Sequence, residues 1–105
     1  MLGDLVVTFC KRGSEQSTEI WAFPDDTLNV VVASEDLERS LPCSPVQLER
    51  VLEGQTARLR DDDTTIEISS HESEVCVNVD CGGKKWTQCI DSEEFRDAIA
   101  LPSGF

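Results

Sequence analysis

The residues that could carry acid–base or nucleophilic chemistry lie close together in the chain. His71 is the only histidine and there is no tyrosine, so proton transfer would fall to His71 or to a carboxylate. Ser69, Ser70, Ser73 and Cys76 are near it in sequence, but none stands in the G-x-S-x-G turn that exposes a catalytic serine. The polar neighbours of His71 are typical of an exposed turn. We therefore predict that the protein is not an enzyme.

The cysteines offer a second kind of chemistry, which is metal binding. There are five of them: Cys10, Cys43, Cys76, Cys81 and Cys89. The run of donors from His71 to Cys89 contains no C-x-x-C pair, so we predict no metal site and no cofactor. The odd count, together with a start that lacks the basic and apolar regions of a secretory leader, favours a cytoplasmic location.

Two further motifs are better explained as turns than as binding sites. Asp61-Asp62-Asp63 are consecutive, whereas a calcium loop spaces its oxygen ligands at alternate positions around a glycine. Gly82-Gly83-Lys84-Lys85 lacks the G-x-x-x-x-G-K-[ST] frame of a phosphate-binding loop. Because aspartate and glycine favour tight turns, both motifs predict hairpins.

The C-terminal half alternates between apolar and polar residues, which predicts a four-stranded meander. A turn at Gly82-Gly83 would place these residues opposite each other: Val79 and Trp86, Val77 and Gln88, Val75 and Ile90, Asp80 and Lys85, Asn78 and Thr87, Cys76 and Cys89. The last pair, Cys76 and Cys89, falls at a non-hydrogen-bonded position, where the two Cα atoms are about 4.5 Å apart and a disulfide can form. We therefore expect these two thiols, reduced in the cell, to form a bridge on mild oxidation.

Two upstream turns extend the meander. A turn at Asp62-Asp63 would align Leu59 with Ile66, and a turn at His71-Glu72 would align Ile68 with Val75 and Ile66 with Val77. One predicted face is apolar: Ala57, Leu59, Ile66, Ile68, Val75, Val77, Val79, Trp86 and Ile90. The other is polar: Arg58, Arg60, Thr65, Glu67, Ser69, Asn78, Asp80, Lys85 and Thr87. Such a pattern is typical of an antiparallel sheet with one solvated face.

Capping signals predict two short helices. Ser44-Pro45-Val46-Gln47 combines an N-cap serine, a proline at the first position and a glutamine at the third. Its apolar stripe is Leu48, Val51 and Leu52, with Gly54 after the end. Asp91-Ser92-Glu93-Glu94 predicts a second capping box, with Asp91 as the cap and Glu94 reaching back. Its stripe is Phe95, Ala98 and Ile99, and we expect the helix to end near Leu101-Pro102.

The N-terminal half predicts three strands, over Asp4–Arg12, Thr18–Phe23 and Thr27–Ala33. A turn at Asp25-Asp26 would pair Phe23 with Leu28 and Trp21 with Val30. The segment 34–41 is interpreted as a short helical turn before Pro42. Together these elements predict one α+β domain over residues 1–105, in the order βββα-ββββα. Its roughly seven strands would form one mainly antiparallel sheet or two abutting sheets, covered by the two helices.

Charge narrows the class of partner. With 21 acids and 9 bases the net charge is −12, which opposes direct binding to nucleic acid or to an anionic membrane. No stretch approaches the roughly 20 apolar residues of a membrane span. A partner found through electrostatics should be a basic protein. The predicted partner-binding residues are the acids Asp61, Asp62, Asp63, Glu67, Asp80, Glu93 and Glu94.

Two functional hypotheses follow. The first is a non-catalytic acidic interaction protein, such as an inhibitor, an immunity-type protein or a nucleic-acid mimic, that covers a basic site on its partner. Within the same class, the charge could serve only solubility. The alternative is a small ligand-binding or metal-binding domain that uses the polar sheet face or the Cys/His group. The sequence leaves the oligomeric state open.

Overall fold

The computed structural model of the protein describes residues 4–9, 15–23, 27–35 and 37–103, with the backbone alone for 100–103. Within these residues the chain runs twice through four strands and a helix. The first round is β1 (Asp4–Thr8), β2 (Ser17–Ala22), β3 (Leu28–Ser34), β4 (Leu37–Cys43) and α1 (Pro45–Leu52). The second is β5 (Ala57–Asp61), β6 (Thr64–His71), β7 (Glu74–Cys81), β8 (Lys84–Asp91) and α2 (Ser92–Ser103).

Each round forms its own antiparallel sheet, with the strand orders β1-β2-β3-β4 and β5-β6-β7-β8. The buried faces of both sheets and the apolar stripes of both helices belong to one hydrophobic core. The prediction of an α+β fold built mostly from antiparallel sheet is therefore confirmed, in its two-sheet form. The order βββα-ββββα is wrong by one strand. None of the described helices is long and apolar enough to cross a membrane.

The additional strand is β4, where the sequence predicted a helical turn. Val30 pairs with Leu41 and Val32 with Arg39, so the segment continues the ladder of β3. Because β3 lies inside the sheet, hydrogen bonding on its second side outweighs the local preference for a helix. Pro42 lies opposite Asn29 in β4, which is an edge strand. An edge position tolerates proline, since its missing donor faces away from the ladder.

The register between β2 and β3 differs from the prediction by one residue. Ile20, rather than Trp21, lies opposite Val30. Five residues, 23–27, connect the two strands, whereas the prediction assumed a two-residue turn. Because five is an odd number, the residues of β2 that share a face with Val30 are the ones that the prediction had placed on the other face. Thr18 and Ile20 are consequently fully buried, while Trp21 is half-buried. The predicted turn at Asp25-Asp26 lies outside the described residues.

The first strand is shorter than predicted. It ends at Thr8 instead of Arg12, and residues 10–14 lie outside the described part of the chain. Its pairing with β2 shifts between Leu5 and Val7, which marks a bulge or irregularity. Phe9 follows the strand and is 1% exposed, and its backbone N–H donates to the carbonyl oxygen of Thr18 over 2.7 Å.

The register of the second sheet is confirmed at two of its three turns. Leu59 lies opposite Ile66, and every predicted pair of β7 and β8 is present, including Val79 with Trp86 and Asp80 with Lys85. The turn between β6 and β7 is Glu72-Ser73 instead of His71-Glu72. Ile66 therefore pairs with Val79 and Ile68 with Val77.

This shift changes the partner of each residue by two positions, so it leaves every side chain on its predicted face. All members of the predicted apolar face are buried, apart from half-buried Ile90. Gln88, the polar residue that the register places on this face, is also buried. Its amide nitrogen donates to the carbonyl oxygen of Gln16 over 3.0 Å.

Both helices begin at their predicted caps. The Ser44 side chain accepts from the Gln47 backbone N–H, and the Gln47 side chain accepts from the Ser44 N–H, which completes the capping box of α1. Asp91 caps α2 by accepting from the Glu93 N–H over 3.2 Å. The α2 helix continues to Ser103, beyond the end predicted near Leu101-Pro102. Phe95 is fully buried, with its ring centroid 6.0 Å from that of Phe9.

Candidate functional site

The exposed face of the β5–β8 sheet carries rows of paired polar side chains. Glu67 accepts from Arg58 over 2.6 Å. In the same region the Thr87 hydroxyl donates to the Asn78 side-chain oxygen over 2.6 Å. An open groove of about 570 Å³ follows this face, lined mainly by Thr65, Glu67, Asn78, Asp80, Lys85 and Thr87. The two acids that line this groove, Glu67 and Asp80, therefore each lie beside a basic side chain.

One end of this sheet holds the β5–β6 and β7–β8 turns, and we call it the paired end: Asp61, Asp62, Asp63 and Asp80, with the bases Arg39 and Lys85. Arg39 donates to both carboxylate oxygens of Asp63, over 3.3 and 3.1 Å. The hydrogen bonds from Arg39 and Thr64 lower the pKa of Asp63. Lys85 lies 3.9 Å from Asp80. Two of the four acids at this end, Asp63 and Asp80, thus lie beside a base.

The other end holds the β6–β7 turn and the start of α2, and we call it the acidic end: Glu72, Glu74, Asp91, Glu93 and Glu94. The register places Glu74 directly opposite Asp91. The backbone N–H of Ser92 donates to the Ser73 carbonyl oxygen over 2.9 Å, which ties the helix start to the turn. All five carboxylates are exposed, and none forms an ion pair with a base among the residues that the structure describes.

The structure distributes the predicted partner-binding residues over three places. Asp61, Asp62, Asp63 and Asp80 lie at the paired end, Glu67 lies on the exposed sheet face, and Glu93 and Glu94 lie at the acidic end.

The prediction omitted Glu72, Glu74 and Asp91. A signal for two of them was present in the sequence, because the Gly82-Gly83 turn already sets Glu74 opposite Asp91. Two like charges at directly opposed positions are unfavourable in a sheet unless something else binds them.

The four cysteines that the structure describes do not form one cluster. Cys76 and Cys89 lie opposite each other on the exposed face and form a disulfide, with 4.0 Å between their Cα atoms, so the predicted pairing is confirmed. Cys81 is buried on the opposite face, where its sulfur lies 3.4 Å from the Thr64 hydroxyl. The run from His71 to Cys89 is therefore split between two faces. Cys43 is half-buried, and this burial raises the pKa of its thiol to about 11.

The two remaining candidates are His71 and Trp86. His71 is exposed at the end of β6, where it lies opposite Glu74. Trp86 is 9% exposed, and its indole N–H donates to the Thr18 hydroxyl of the first sheet over 3.1 Å. Trp86 therefore joins the two sheets within the core.

Comparisons of the chain with protein-family models, with curated proteins and with solved structures give no match. Function has to be inferred from the charges and contacts of the exposed face and the two ends of the β5–β8 sheet.

Proposed function

We propose that this chain is a non-catalytic acidic interaction protein of the cytoplasm that covers a basic site on a partner protein, as an inhibitor, an immunity-type protein or a nucleic-acid mimic does. The observation that carries this proposal is the acidic end, where Glu74 and Asp91 are held opposite each other and form no ion pair within the described part of the chain. A basic protein surface would supply the missing positive charge. The overall charge of −12 would steer such a partner toward the chain.

The proposal distinguishes between the acids predicted to bind the partner. Glu67, Asp63 and Asp80 already lie beside arginine or lysine side chains, so a partner gains less from them. Among the residues that the structure describes, Glu93 and Glu94 form no ion pair with a base. We propose that they lie at the centre of the interface together with Glu72. Asp61 and Asp62 are exposed like the acids of the acidic end, but they lie at the opposite end of the sheet from Glu74 and Asp91, so they provide a comparison matched in charge and different in position.

Affinity capture from the lysate of the source cell at rising salt concentrations tests this proposal. Wild-type chain is compared with Glu72→Lys/Glu94→Lys at the acidic end and with Asp61→Lys/Asp62→Lys at the paired end. Both variants change the net charge by the same amount and alter only exposed side chains. We expect wild type to retain one basic protein, which is identified by mass spectrometry and released by salt.

The acidic-end variant should bind this partner about tenfold or more weakly in a titration with the purified components, while the paired-end variant should bind almost as wild type does. Equal weakening in both variants would reduce the interaction to net charge alone. Retention of no protein by wild type at low salt would contradict the proposal. Circular dichroism of each variant checks that it is folded.

The groove on the exposed face supports a second candidate function, which is binding of a small polar ligand. Hydroxyl, amide and charged groups line it within a volume that suits a small molecule. Its charged groups already have partners of opposite charge, Glu67 in Arg58 and Asp80 in Lys85, which favours the first proposal. A ligand screen monitored by amide chemical shifts would support this candidate if shifts cluster at Thr65, Asn78 and Thr87. Shifts scattered over the chain would count against it.

A further inference from the structure

Three donor groups of types that bind metal ions meet on the exposed face of β7 and β8. One carboxylate oxygen of Glu74 and the sulfurs of Cys76 and Cys89 all lie within 4.8 Å of one another. Glu74 and Cys76 alternate on the same side of β7, and Cys89 lies opposite Cys76 on β8. Both cysteines are half-buried and Glu74 is exposed, so the group is reachable from solvent.

The surroundings of this group favour a cation. Asp91 lies directly opposite Glu74, and His71 lies opposite Glu74 on its other side, in β6. A row of imidazole and two carboxylates therefore runs beside the sulfur pair. The like charges of Glu74 and Asp91 oppose each other across the strands, and a bound cation would relieve this repulsion.

From this juxtaposition we propose that Glu74, Cys76 and Cys89 form a Zn²⁺ site when the disulfide is reduced, so that oxidation and metal binding exclude each other. Two thiolates and a carboxylate are ligands that Zn²⁺ accepts, and a water molecule completes a tetrahedral set. The site goes beyond the proposed interaction function and does not depend on it. It departs from the prediction of no metal site, which rested on the missing C-x-x-C spacing along the chain and not on donors that meet across two strands.

The reaction that opens the site is a two-electron reduction. A cellular dithiol transfers two electrons and two protons to the Cys76–Cys89 bridge, the S–S bond breaks, two thiols form, and the dithiol becomes a disulfide. Zn²⁺ then forms two zinc–sulfur bonds, and the two thiol protons pass to solvent. A cellular disulfide reverses the reaction: the two zinc-bound thiolates lose two electrons and form the S–S bond again, which releases Zn²⁺. The oxidising disulfide takes up the two electrons and two protons from solvent and becomes a dithiol.

Titration with Co²⁺ and Zn²⁺ tests the proposal. Full-length chain carrying Cys10→Ser and Cys43→Ser is reduced with a dithiol, freed of it under argon and titrated with Co²⁺, whose thiolate complexes absorb in the near ultraviolet. We expect one Co²⁺ per reduced chain, displacement by Zn²⁺ and no absorption band from the bridged chain. Absence of the band in the reduced chain, equal binding by the bridged chain, or an unfolded circular dichroism spectrum after reduction would overturn the proposal.

Variants locate the site. Cys89→Ser should abolish the cobalt–thiolate band, and Glu74→Gln should weaken Zn²⁺ binding by about tenfold or more in competition with a chromophoric chelator, since even outer-shell changes have effects of that size. Glu72→Gln removes a neighbouring exposed carboxylate outside the donor group and should leave Zn²⁺ affinity unchanged. A band that persists in Cys89→Ser, or equal weakening by Glu74→Gln and Glu72→Gln, would overturn the assignment.

Discussion

The N-terminal and C-terminal halves contain the same series of elements, but their strands are joined differently. In β5–β8 every connection is a two-residue turn, at Asp62-Asp63, Glu72-Ser73 and Gly82-Gly83. In β1–β4 a five-residue connection separates β2 from β3, and the β1–β2 pairing shifts beside Leu5. When every turn has two residues, counting along the chain predicts which side chains share a face throughout the sheet. A connection with an odd number of residues moves the side chains of the next strand to the face opposite the one that this count predicts.

The halves nevertheless share a single core and several direct contacts. Phe9 packs beside Phe95, Thr18 accepts from Trp86, and Arg39 pairs with Asp63. Each of these contacts joins an N-terminal residue to a C-terminal one. We therefore expect the two halves to unfold in one cooperative transition even though each forms a separate sheet.

The largest expected effect comes from Phe95→Ala, which tests this shared core. The Phe95 side chain is fully buried, so its truncation should lower the free energy of unfolding by about 3–5 kcal/mol. Urea denaturation followed by circular dichroism and by fluorescence measures the change, and the two signals should give one transition. Two separate transitions would show that the halves fold independently.

Leu48→Ala provides the equivalent change in α1, and Val46→Ala provides the control. Leu48 is fully buried and should contribute about 2–5 kcal/mol, whereas Val46 is 52% exposed and should change stability by less than about 0.5 kcal/mol. A large effect of Phe95→Ala with almost none from Leu48→Ala would mean that the two helices contribute unequally to the core.

Reduction of the Cys76–Cys89 bridge tests whether the C-terminal sheet depends on its covalent link. The β7–β8 hairpin already holds the enclosed residues, so we expect a loss of about 1–2 kcal/mol, below the roughly 3 kcal/mol of a flexible loop of similar length. Denaturation with and without reductant measures it, and Cys43→Ser is the control. Peptide mapping that links Cys76 to Cys81 would contradict the pairing.

A smaller effect is expected at the β6–β7 turn, where Glu72 has a φ of 58°. A side chain is unfavourable in this left-handed region, whereas glycine adopts it without strain. Glu72→Gly should therefore raise the free energy of unfolding by about 0.5–1 kcal/mol in urea denaturation. Gly83→Ala is the reverse change at a φ of 87° and should lower it by about 1 kcal/mol. Destabilisation by Glu72→Gly would contradict this account of the turn.

The smallest expected effect concerns the Arg39–Asp63 ion pair between the halves. The lowered pKa of Asp63 means that its carboxylate stabilises the fold above the ordinary aspartate pKa and loses this contribution as the pH falls through the lowered value. Arg39→Gln should move the Asp63 pKa back toward its ordinary range, as measured by carboxyl NMR titration. Because both side chains are exposed, the stability change should be small and should decrease with salt. An unchanged Asp63 pKa would contradict the pairing.

The C-terminal sheet could be predicted from its sequence because apolar residues alternate between short turns. Even the displaced Glu72-Ser73 turn preserved the predicted faces, since an even shift keeps their parity. The strand β4 could not be predicted. Its local residues suit a turn before Pro42, and only the hydrogen-bonding demand of β3 makes the segment a strand.

Of the candidate site, only the contacts within one hairpin could be predicted from the sequence. The Cys76–Cys89 pair followed from counting outward from Gly82-Gly83. The neutralisation of Asp63 depends on Arg39, which lies 24 residues away in the other sheet. No local pattern indicates which acid such a distant base will reach, so the difference between the paired end and the acidic end required the three-dimensional arrangement.

The hydrogen bond between Trp86 and Thr18 gives the molecule an internal optical probe. The chain has two tryptophans and no tyrosine, so its ultraviolet emission arises almost wholly from Trp21 and Trp86. Trp86 is buried where the two sheets meet, while Trp21 is half-buried in β2 and donates to Glu19. Separation of the sheets would hydrate the Trp86 indole and shift its emission to longer wavelength. With Trp21→Phe, the remaining fluorescence would follow the docking of one sheet onto the other in real time.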